Sequence, residues 1–196
     1  AILLGGATAS GALLRRAQER GLPIVITYGL TETCSQVVAT PYEARFAPAA
    51  DGAGMPLPGA ELRVVDGHIE VKGPMLMAGY WGAPPLPRGA WFGTGDLGEI
   101  DADGYVYVRG RLRNMFITSF GRNVAPEWVE REIVLEPGIR HVMVHGEARP
   151  YAVAIVSAPR DGVDAATIDR AIRAANARLP DYAQVRRWLR APETFS

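Results

Sequence analysis

The 196-residue chain has little of several features that would assign it to a specialised class of protein. A single cysteine, Cys34, excludes an internal disulfide framework and a cysteine-based metal site. Acidic and basic residues balance at 21 each, so no net charge favours nucleic acid or an anionic membrane as a partner. The longest apolar runs are far shorter than the roughly 20 residues that span a bilayer, and no signal-peptide pattern is present. We therefore expect a cytoplasmic protein with no integral membrane segment.

Lysine is almost absent as well, because Lys72 in "EVKGP" is the only one and arginine carries the other formal positive charges. Chemistry that needs an ammonium group therefore has one candidate. The chain opens on the apolar run "AILLGG" without a preceding turn or an initiator methionine, which we interpret as an excised piece. Cys34 lies beside Glu32 rather than a cation, so we expect it to be a small packing residue and not a reactive thiol.

The first 30 residues have the pattern of a strand, a helix and a second strand. "AILLGG" predicts a strand, "SGALLRRAQERG" an amphipathic helix capped by Ser10 and ended at Gly21, and "PIVITYG" another strand. Such a unit favours parallel pairing with a right-handed crossover, and ligands of open α/β sheets bind beyond the carboxyl ends of the strands. Gly5, Gly6 and Gly29 lie at those ends, where glycine allows positive φ or close approach of a ligand.

The stretch "TYGLTETCSQ" follows the second strand and is rich in hydroxyl groups. Thr31 and Glu32 are candidates for holding a phosphate and its Mg²⁺, because hard cations take oxygen ligands and phosphate accepts protons from hydroxyls. Threonine and serine also cap helices routinely, so a strand followed by a capped helix is the alternative. The stretch alone leaves both interpretations open.

The middle of the chain predicts antiparallel structure. Residues 42–57 are rich in alanine, proline and glycine, which suits a surface connection. "AELRVVDGHIEVKGP" alternates around Asp66-Gly67, and "GEIDADGYVYVRG" repeats the pattern around Asp103-Gly104. We expect an antiparallel sheet or a small antiparallel β-barrel here, packed in part by Trp91 and by the aromatic residues of "MAGYWG", Tyr80 and Trp81.

A separate small α+β unit is predicted after Gly110. "RNMFITSFGRNV" suits a hairpin with Gly121 in its turn, and "PEWVEREIVL" suits a helix that begins at Pro126. The strands "IRHVMVHG" and "YAVAIVSAP" follow, and then a helix over residues 164–178. The pattern changes over residues 109–113, so we divide the chain into domains 1–110 and 111–196.

The order of six motifs resembles the adenylate-forming superfamily of acyl- and aryl-CoA synthetases. The motifs are "LLGGA", "TYGLTET", "GAGMPLPG", "IEVKGP" with "MAGYW", "WFGTGDLGEIDADGYVYVRGR" and "ITSFGRNVAPEWVE". The resemblance implies the last third of a ligase that joins a carboxylic acid to AMP and then transfers the acyl group to coenzyme A. Its fold would be the end of a large α/β nucleotide- and acyl-binding domain, followed by a small, mobile and here incomplete α+β domain. The implied cofactors are ATP or AMP, Mg²⁺ and coenzyme A.

The resemblance also implies roles for individual residues. Thr31 would hydrogen-bond the α-phosphate and Glu32 would ligate Mg²⁺. Asp96 in "TGD" would accept hydrogen bonds from the two ribose hydroxyls, and Arg111 in "RGR" would reach the nucleotide. The remaining nucleotide-binding positions would be Gly5, Gly6, Ala7, Tyr28 and Gly29. Without the resemblance, Asp96 is an ordinary turn aspartate and Arg111 a surface arginine.

In the small domain the resemblance implies a hinge at Arg113 and a coenzyme A tunnel at Gly121. Arg113 stands where an aspartate or lysine is more usual, so the exact pivot stays open. Phe120 and Arg122 in "TSFGRN" depart from the usual "SGGEN"-like segment. They resemble long-chain acyl-CoA ligases, whereas "YGLTETCSQ" resembles succinylbenzoate-CoA ligases, so the sequence leaves the acyl substrate open.

Two family parts are missing from these residues, the phosphate loop of the large domain and the adenylating lysine. Lys72 is not that lysine, because it belongs to the "VKGP" motif. We therefore expect the fragment alone to be inactive. The alternatives are a free-standing nucleotide- or CoA-binding module, a regulatory remnant, or an enzyme that loads a phosphopantetheinyl carrier protein. His141 and His145 would stand about 13 Å apart along a strand, too far for one metal ion. Arg186, Arg187 and Arg190 suggest a solvated basic face.

Overall fold

The computed structural model describes residues 1–6, 11–48, 52–159 and 163–191. The chain divides into two compact units, Ala1–Leu112 and Arg113–Ser196. Each unit has its own hydrophobic core. Each is therefore described by itself.

The first unit begins with the predicted strand-helix-strand arrangement. Strand β1 (Ile2–Leu4) pairs in parallel with β2 (Ile24–Leu30), and helix α1 (Gly11–Glu19) connects them. Strands β3 (Ser35–Ala39) and β4 (Met55–Pro56) then extend the sheet antiparallel, in the order β1-β2-β3-β4. The apolar side of α1 is buried against β2, in a small core formed by Leu14, Ala17, Ile24 and Ile26. The predicted parallel unit is confirmed, while the Ser10 cap lies outside the described residues.

The second sheet of this unit is antiparallel throughout. It consists of β5 (Glu61–Val65), β6 (His68–Lys72), β7 (Phe92–Ile100) and β8 (Val106–Arg111), paired in chain order. The Asp66-Gly67 turn between β5 and β6 has positive φ at both residues, 50° and 81°, as its sequence predicted. The expected antiparallel sheet is confirmed, and the barrel alternative is wrong for the described residues, because β5 and β8 lie at opposite edges of an open sheet.

A shared core joins the two sheets of the first unit. Val37 and Val38 of β3 pack with Ile69 and Val71 of β6 and with Val106 of β8, all of them fully buried. A bridge from the segment before β4 reaches the edge of the second sheet, since the amide of Val106 donates to the carbonyl of Gly54 at 2.7 Å. The segment predicted as a surface connection is therefore buried over residues 52–54, because its backbone completes a sheet edge.

The second unit opens with the predicted hairpin and helix. Strands β9 (Phe116–Ile117) and β10 (Asn123–Val124) pair antiparallel around a turn in which Gly121 has φ of 72°. Helix α2 (Pro126–Val134) begins on Pro126, whose fixed φ suits the first helical position. Val129 and Ile133 face the core.

The rest of the second unit is a three-stranded sheet with a crossover helix. Strand β11 (His141–His145) pairs antiparallel with β12 (Ala152–Ser157), and β12 pairs in parallel with β13 (Val185–Arg190). Helix α3 (Ala165–Asn176) connects the two parallel strands and is capped by the Asp164 carboxylate, which accepts from the Thr167 amide at 2.8 Å. Its buried residues Ile168, Ile172 and Ala175 complete the core.

Arg186, Arg187 and Arg190 are exposed, which confirms the predicted solvated basic face, but they lie on strand β13, which the sequence analysis did not predict. Trp188 is half-buried and donates to Asp169 at 2.6 Å. Arg190 donates to the carbonyl oxygens of Val163 and Pro159 at 2.9 and 2.7 Å. The sequence did not predict β13 because the charged arginines interrupt the apolar pattern that is typical of a strand. None of the described helices is long and apolar enough to cross a membrane.

Candidate active site

The hydroxyl-rich stretch forms a short 3-10 turn, Thr31–Thr33, at the carboxyl end of β2. Thr33 is buried and supports the turn, because its hydroxyl accepts from the Leu30 amide at 3.1 Å and donates to the Ser35 carbonyl at 2.7 Å. Thr31 is exposed, and Glu32 is partly exposed. Thr33 therefore caps a one-turn 3-10 helix, which confirms the capping alternative, and Thr31 and Glu32 lie on the accessible side of that helix.

Cys34 ends this turn in the left-handed conformation with φ of 55°, and its side chain is exposed. The predicted packing role for Cys34 is therefore wrong. The turn reverses the chain within a few residues, which leaves the thiol on the outside.

The glycines at the strand ends allow close backbone approach. A Cβ at Gly29 would collide with the carbonyl of Ser35, because the antiparallel pairing of β2 and β3 brings their backbones close together there. A Cβ at Gly5 would lie 2.5 Å from the Thr27 hydroxyl oxygen, whereas Gly6 has φ of 83° and open space around it. Gly5 and Gly6 thus follow β1 beside its parallel partner β2. Ala7 lies outside the described residues.

Asp96 is a buried carboxylate at the centre of the site. It lies on β7 and is only 5% exposed. The Tyr28 hydroxyl donates to its Oδ2 atom at 2.7 Å, and Arg111 Nε lies 3.0 Å from its Oδ1 atom. Arg111 also donates to the Thr94 carbonyl at 3.1 Å. The structure therefore gathers Tyr28, Asp96 and Arg111 from three different strands.

The environment of Tyr28 favours its neutral form. Burial raises the pKa of the Tyr28 phenol, and the hydrogen bond to the negatively charged Asp96 raises it further. The Thr94 side chain and the Arg111 charge act in the opposite direction without reversing the shift. Tyr28 is therefore a permanent hydrogen-bond donor to Asp96 at neutral pH.

Glu32 is held by a loop from the second sheet. The Tyr80 hydroxyl donates to Glu32 Oε1 at 2.7 Å, and the Met77 amide donates to the Glu32 carbonyl at 2.8 Å. The hydrogen bond from Tyr80 lowers the pKa of the Glu32 carboxyl, and the positive charge of Arg111 contributes in the same direction. We refer to the directly bonded Tyr28, Asp96 and Arg111, together with Glu32, whose pKa the Arg111 charge lowers, as the cluster.

The cluster suits a nucleotide-bound magnesium ion. Glu32 is an anionic carboxylate on an accessible turn, with the exposed Thr31 hydroxyl next to it. Within the described ranges, no three His, Cys, Asp or Glu side chains come together to hold a metal by themselves. Mg²⁺ usually takes one or two protein carboxylates and completes its shell with phosphate oxygens and water, so a single carboxylate fits.

Two predicted site residues belong to the second unit. Arg113 is its first residue and Gly121 lies in its first hairpin turn, and both are exposed. Phe120 beside Gly121 is 72% exposed. The hinge and tunnel roles stay predictions. His141 and His145 lie at the exposed ends of β11.

The sequence analysis did not assign Tyr80 and Thr94 to the site, although Tyr80 donates to Glu32 and the Thr94 carbonyl accepts from Arg111. Tyr80 and Trp81 were predicted to pack a barrel, but Tyr80 is 57% exposed and Trp81 is fully exposed. Trp91 lies under the side chains of Arg63 and Lys72, with its ring centroid 4.2 and 4.9 Å from their charged groups. The packing prediction is therefore wrong for Tyr80 and Trp81. The only available signal for Tyr80 was its place in the "MAGYW" motif.

The first unit combines glycine turns at the ends of paired strands with two carboxylates and an arginine. These features define the class of the protein, a candidate nucleotide-binding α/β protein. A family model described as "AMP-binding enzyme" matches residues 1–81, and one described as "AMP-binding enzyme C-terminal domain" matches residues 114–193. The chain belongs to the AMP-binding enzyme family, as its motif order predicted.

Curated relatives are ligases of coenzyme A. The chain is 39% identical over 159 residues to the 2-succinylbenzoate--CoA ligase of Geobacillus kaustophilus, covering 74% of this chain and 32% of that protein. It is 34% identical over 163 residues to the long-chain-fatty-acid--CoA ligase FadD15 of Mycobacterium bovis, covering 80% of this chain and 26% of that protein. The chain thus spans about a third or less of these relatives.

Solved structures show the same fold. The o-succinylbenzoate CoA synthetase (MenE) of Bacillus subtilis in complex with the acyl-adenylate intermediate OSB-AMP matches with a TM-score of 0.82 and 29% identity. The match covers 98% of this chain and 42% of that one. The same enzyme in complex with ATP and magnesium ion matches with a TM-score of 0.79 and 30% identity, covering 97% and 42%. The predicted mixed α/β adenylate-forming fold is confirmed.

Proposed function

We propose that this chain supplies part of an ATP-dependent carboxylate-CoA ligase. The observation that carries the proposal is the bonded set of Tyr28, Asp96 and Arg111, with Glu32 on the turn that follows the strand of Tyr28, in a chain of the AMP-binding enzyme family. In the first step a carboxylate oxygen of the acid attacks the α-phosphorus of ATP and pyrophosphate leaves. In the second step the thiolate of coenzyme A attacks the acyl carbon and AMP leaves. Both kinds of curated relative are named as CoA ligases, which supports this acceptor.

The residues of the first unit bind and orient the nucleotide in this proposal. Asp96 accepts hydrogen bonds from the two ribose hydroxyls, since one carboxylate oxygen can accept more than one hydrogen bond. Arg111 has several fixed donors for ribose or phosphate oxygens. The exposed Thr31 hydroxyl donates to the α-phosphate.

The remaining positions surround these polar groups. Glu32 would hold Mg²⁺, which neutralises phosphate charge during adenylation. The backbone at Gly5, Gly6, Ala7 and Gly29, with the ring of Tyr28, would line the nucleotide and acyl pockets.

The second unit would carry the later half-reaction. We assign the first unit, residues 1–112, to the large domain, two residues beyond the predicted boundary at 110, and the second unit, residues 113–196, to the small domain, with Arg113 as the hinge and Gly121 on the path of the pantetheine arm. Gly121 has positive φ and no side chain, which suits a narrow passage. The cytoplasmic location expected from the composition is part of the same proposal.

The test is pyrophosphate exchange by the whole protein, with a panel of fatty and aryl acids. We expect exchange that depends on one class of acid, followed by thioester formation when coenzyme A is added. A phosphopantetheinyl carrier protein in place of coenzyme A tests the other acceptor. Nucleotide binding without exchange for any acid would overturn the proposal and favour a binding or regulatory module.

The 196 residues alone provide a negative control for that assay. They contain neither a glycine- and hydroxyl-rich phosphate loop nor a lysine other than Lys72, which is ion-paired with Glu61 at 2.7 Å. We therefore expect no exchange above background from this part. Robust exchange would contradict the roles given to the missing loop and lysine.

A further inference from the structure

The loop that follows β6 closes on itself and attaches to the Glu32 turn. Within it, the Leu86 amide donates to the Ala78 carbonyl at 2.7 Å, and the Ala83 amide donates to the Tyr80 carbonyl at 3.1 Å. The Met77 amide then ties the loop to the Glu32 carbonyl at 2.8 Å. The backbone around Tyr80 is therefore held by two hydrogen bonds within the loop and by one hydrogen bond to the Glu32 turn.

Tyr80 lies outside the buried core of its unit. Its side chain is 57% exposed, yet its hydroxyl lies 2.7 Å from Glu32 Oε1. A tyrosine ring has only two side-chain torsions, so a tyrosine on a closed loop places its hydroxyl at low entropic cost. Glu32, in contrast, has three rotatable bonds on an accessible turn, and ordering such a side chain costs free energy.

We propose that Tyr80 is a positioning residue that acts through Glu32. Its hydroxyl holds one carboxylate oxygen and so orders the side chain before the nucleotide and its cation bind. A carboxylate that accepts one hydrogen bond on Oε1 keeps acceptor capacity on Oε2 for a cation. Partners that orient metal ligands commonly change metal affinity when they are removed. This inference rests on the proposed nucleotide site.

The experiment uses the whole protein and the substitution Tyr80→Phe, which removes only the hydroxyl. Isothermal titration with ATP is repeated over a series of MgCl₂ concentrations, and AMP is titrated without magnesium. We expect the MgCl₂ concentration at which ATP affinity reaches half of its maximum to rise about tenfold. Loss of a residue that orients a metal ligand usually weakens metal affinity by at least this factor. AMP affinity without magnesium should stay within about twofold of the wild-type value, since the inferred role of Tyr80 is confined to Glu32.

Tyr42→Phe is the matched control. Tyr42 is 61% exposed in the same unit, contacts the Arg45 guanidinium at 3.9 Å, and has no place in the cluster. This variant should leave both titrations unchanged. A general loosening of the loop by Tyr80→Phe would instead weaken AMP and ATP binding alike, and that result would overturn the positioning role.

A double-substitution cycle separates Tyr80 from the rest of the site. In the Glu32→Gln background, Tyr80→Phe should add no further change in magnesium dependence, because both act through one side chain. Equal effects of Tyr80→Phe in both backgrounds would overturn the inference. Wild-type magnesium dependence in Tyr80→Phe would also overturn it and leave the proposed function standing. Failure of the wild-type protein to bind ATP would overturn both.

Discussion

Two carboxylates of the first unit, Asp96 and Glu32, have the same kind of partner in different surroundings. Each accepts a hydrogen bond of 2.7 Å from a tyrosine hydroxyl, Tyr28 for Asp96 and Tyr80 for Glu32. Asp96 is 5% exposed on a strand within a sheet, whereas Glu32 is partly exposed on a turn. The hydrogen bonds look alike, but the solvent around them differs.

This difference separates a residue that shapes the site from one that is available to a ligand. A buried donor or acceptor that loses its partner costs its full desolvation penalty, whereas an exposed group returns to water. Asp96 therefore holds Tyr28 and Arg111 together and has a structural role in addition to its proposed contact with ribose. We expect Glu32 to contribute little to folding, because its side chain is partly exposed to solvent.

Removal of the Asp96 carboxylate should have the largest effect. In the whole protein, we expect Asp96→Ala to lower the free energy of unfolding by about 2 kcal/mol, because the partly buried Tyr28 hydroxyl loses a charged acceptor. ATP affinity should fall more than tenfold. Urea denaturation and isothermal titration measure the two effects.

Glu99→Ala is the control on the same strand. Glu99 is an exposed carboxylate paired with Arg109, so its removal should cost less than about 0.5 kcal/mol. Equal destabilisation by the two substitutions would show that burial does not distinguish these carboxylates.

Glu32→Gln should leave stability nearly unchanged and affect the reaction. The amide keeps the shape of the side chain but is a weak ligand for Mg²⁺, so adenylation at limiting Mg²⁺ should fall tenfold or more, about 1.4 kcal/mol of barrier for each decade. Pyrophosphate exchange measures the rate, and urea denaturation checks the fold. The exposed Glu43 offers a matched Glu43→Gln control. An unchanged exchange rate at limiting Mg²⁺ would remove Glu32 from the metal site.

Tyr28→Phe should have the smallest effect, and that effect should depend on pH. At pH 7 the lost hydrogen bond should cost about 1 kcal/mol of unfolding free energy, while Tyr42→Phe should cost less than about 0.5 kcal/mol. Burial raises the pKa of Tyr28, so the folded protein keeps this proton above pH 10 while the unfolded chain releases it. The stabilisation is therefore complete below pH 10 and declines above it.

The comparison of wild type with Tyr28→Phe shows that decline directly. By pH 11 the wild type should lose about 1.4 kcal/mol that Tyr28→Phe does not lose. Urea denaturation at pH 7, 9, 10 and 11 tests the trend. A stability difference that stays constant over this range would mean that Tyr28 titrates as it does in the unfolded chain.

Much of the fold could be predicted because its signals are local. The Asp66-Gly67 turn requires residues that tolerate positive φ, and Pro126 suits a helix start, so both features can be read from a few neighbouring residues. The buried segment at residues 52–54 could not be predicted, because its pairing partner, Val106, is more than 50 residues away in the chain. Strand β13 was missed for a related reason, since its pairing with β12 outweighs the charges of its arginines.

The chain's own sequence determined the family, the order of the motifs and the chemical types of the site residues, because these depend on residue identity along a short stretch. Only the tertiary structure decided which donors those residues meet. Tyr28 and Asp96 are 68 residues apart in the chain, and Glu32 and Tyr80 are 48 apart, so no local pattern could pair them. Burial, which separates Asp96 from Glu32, is likewise set by distant strands, since it depends on what covers a side chain and not on the side chain itself.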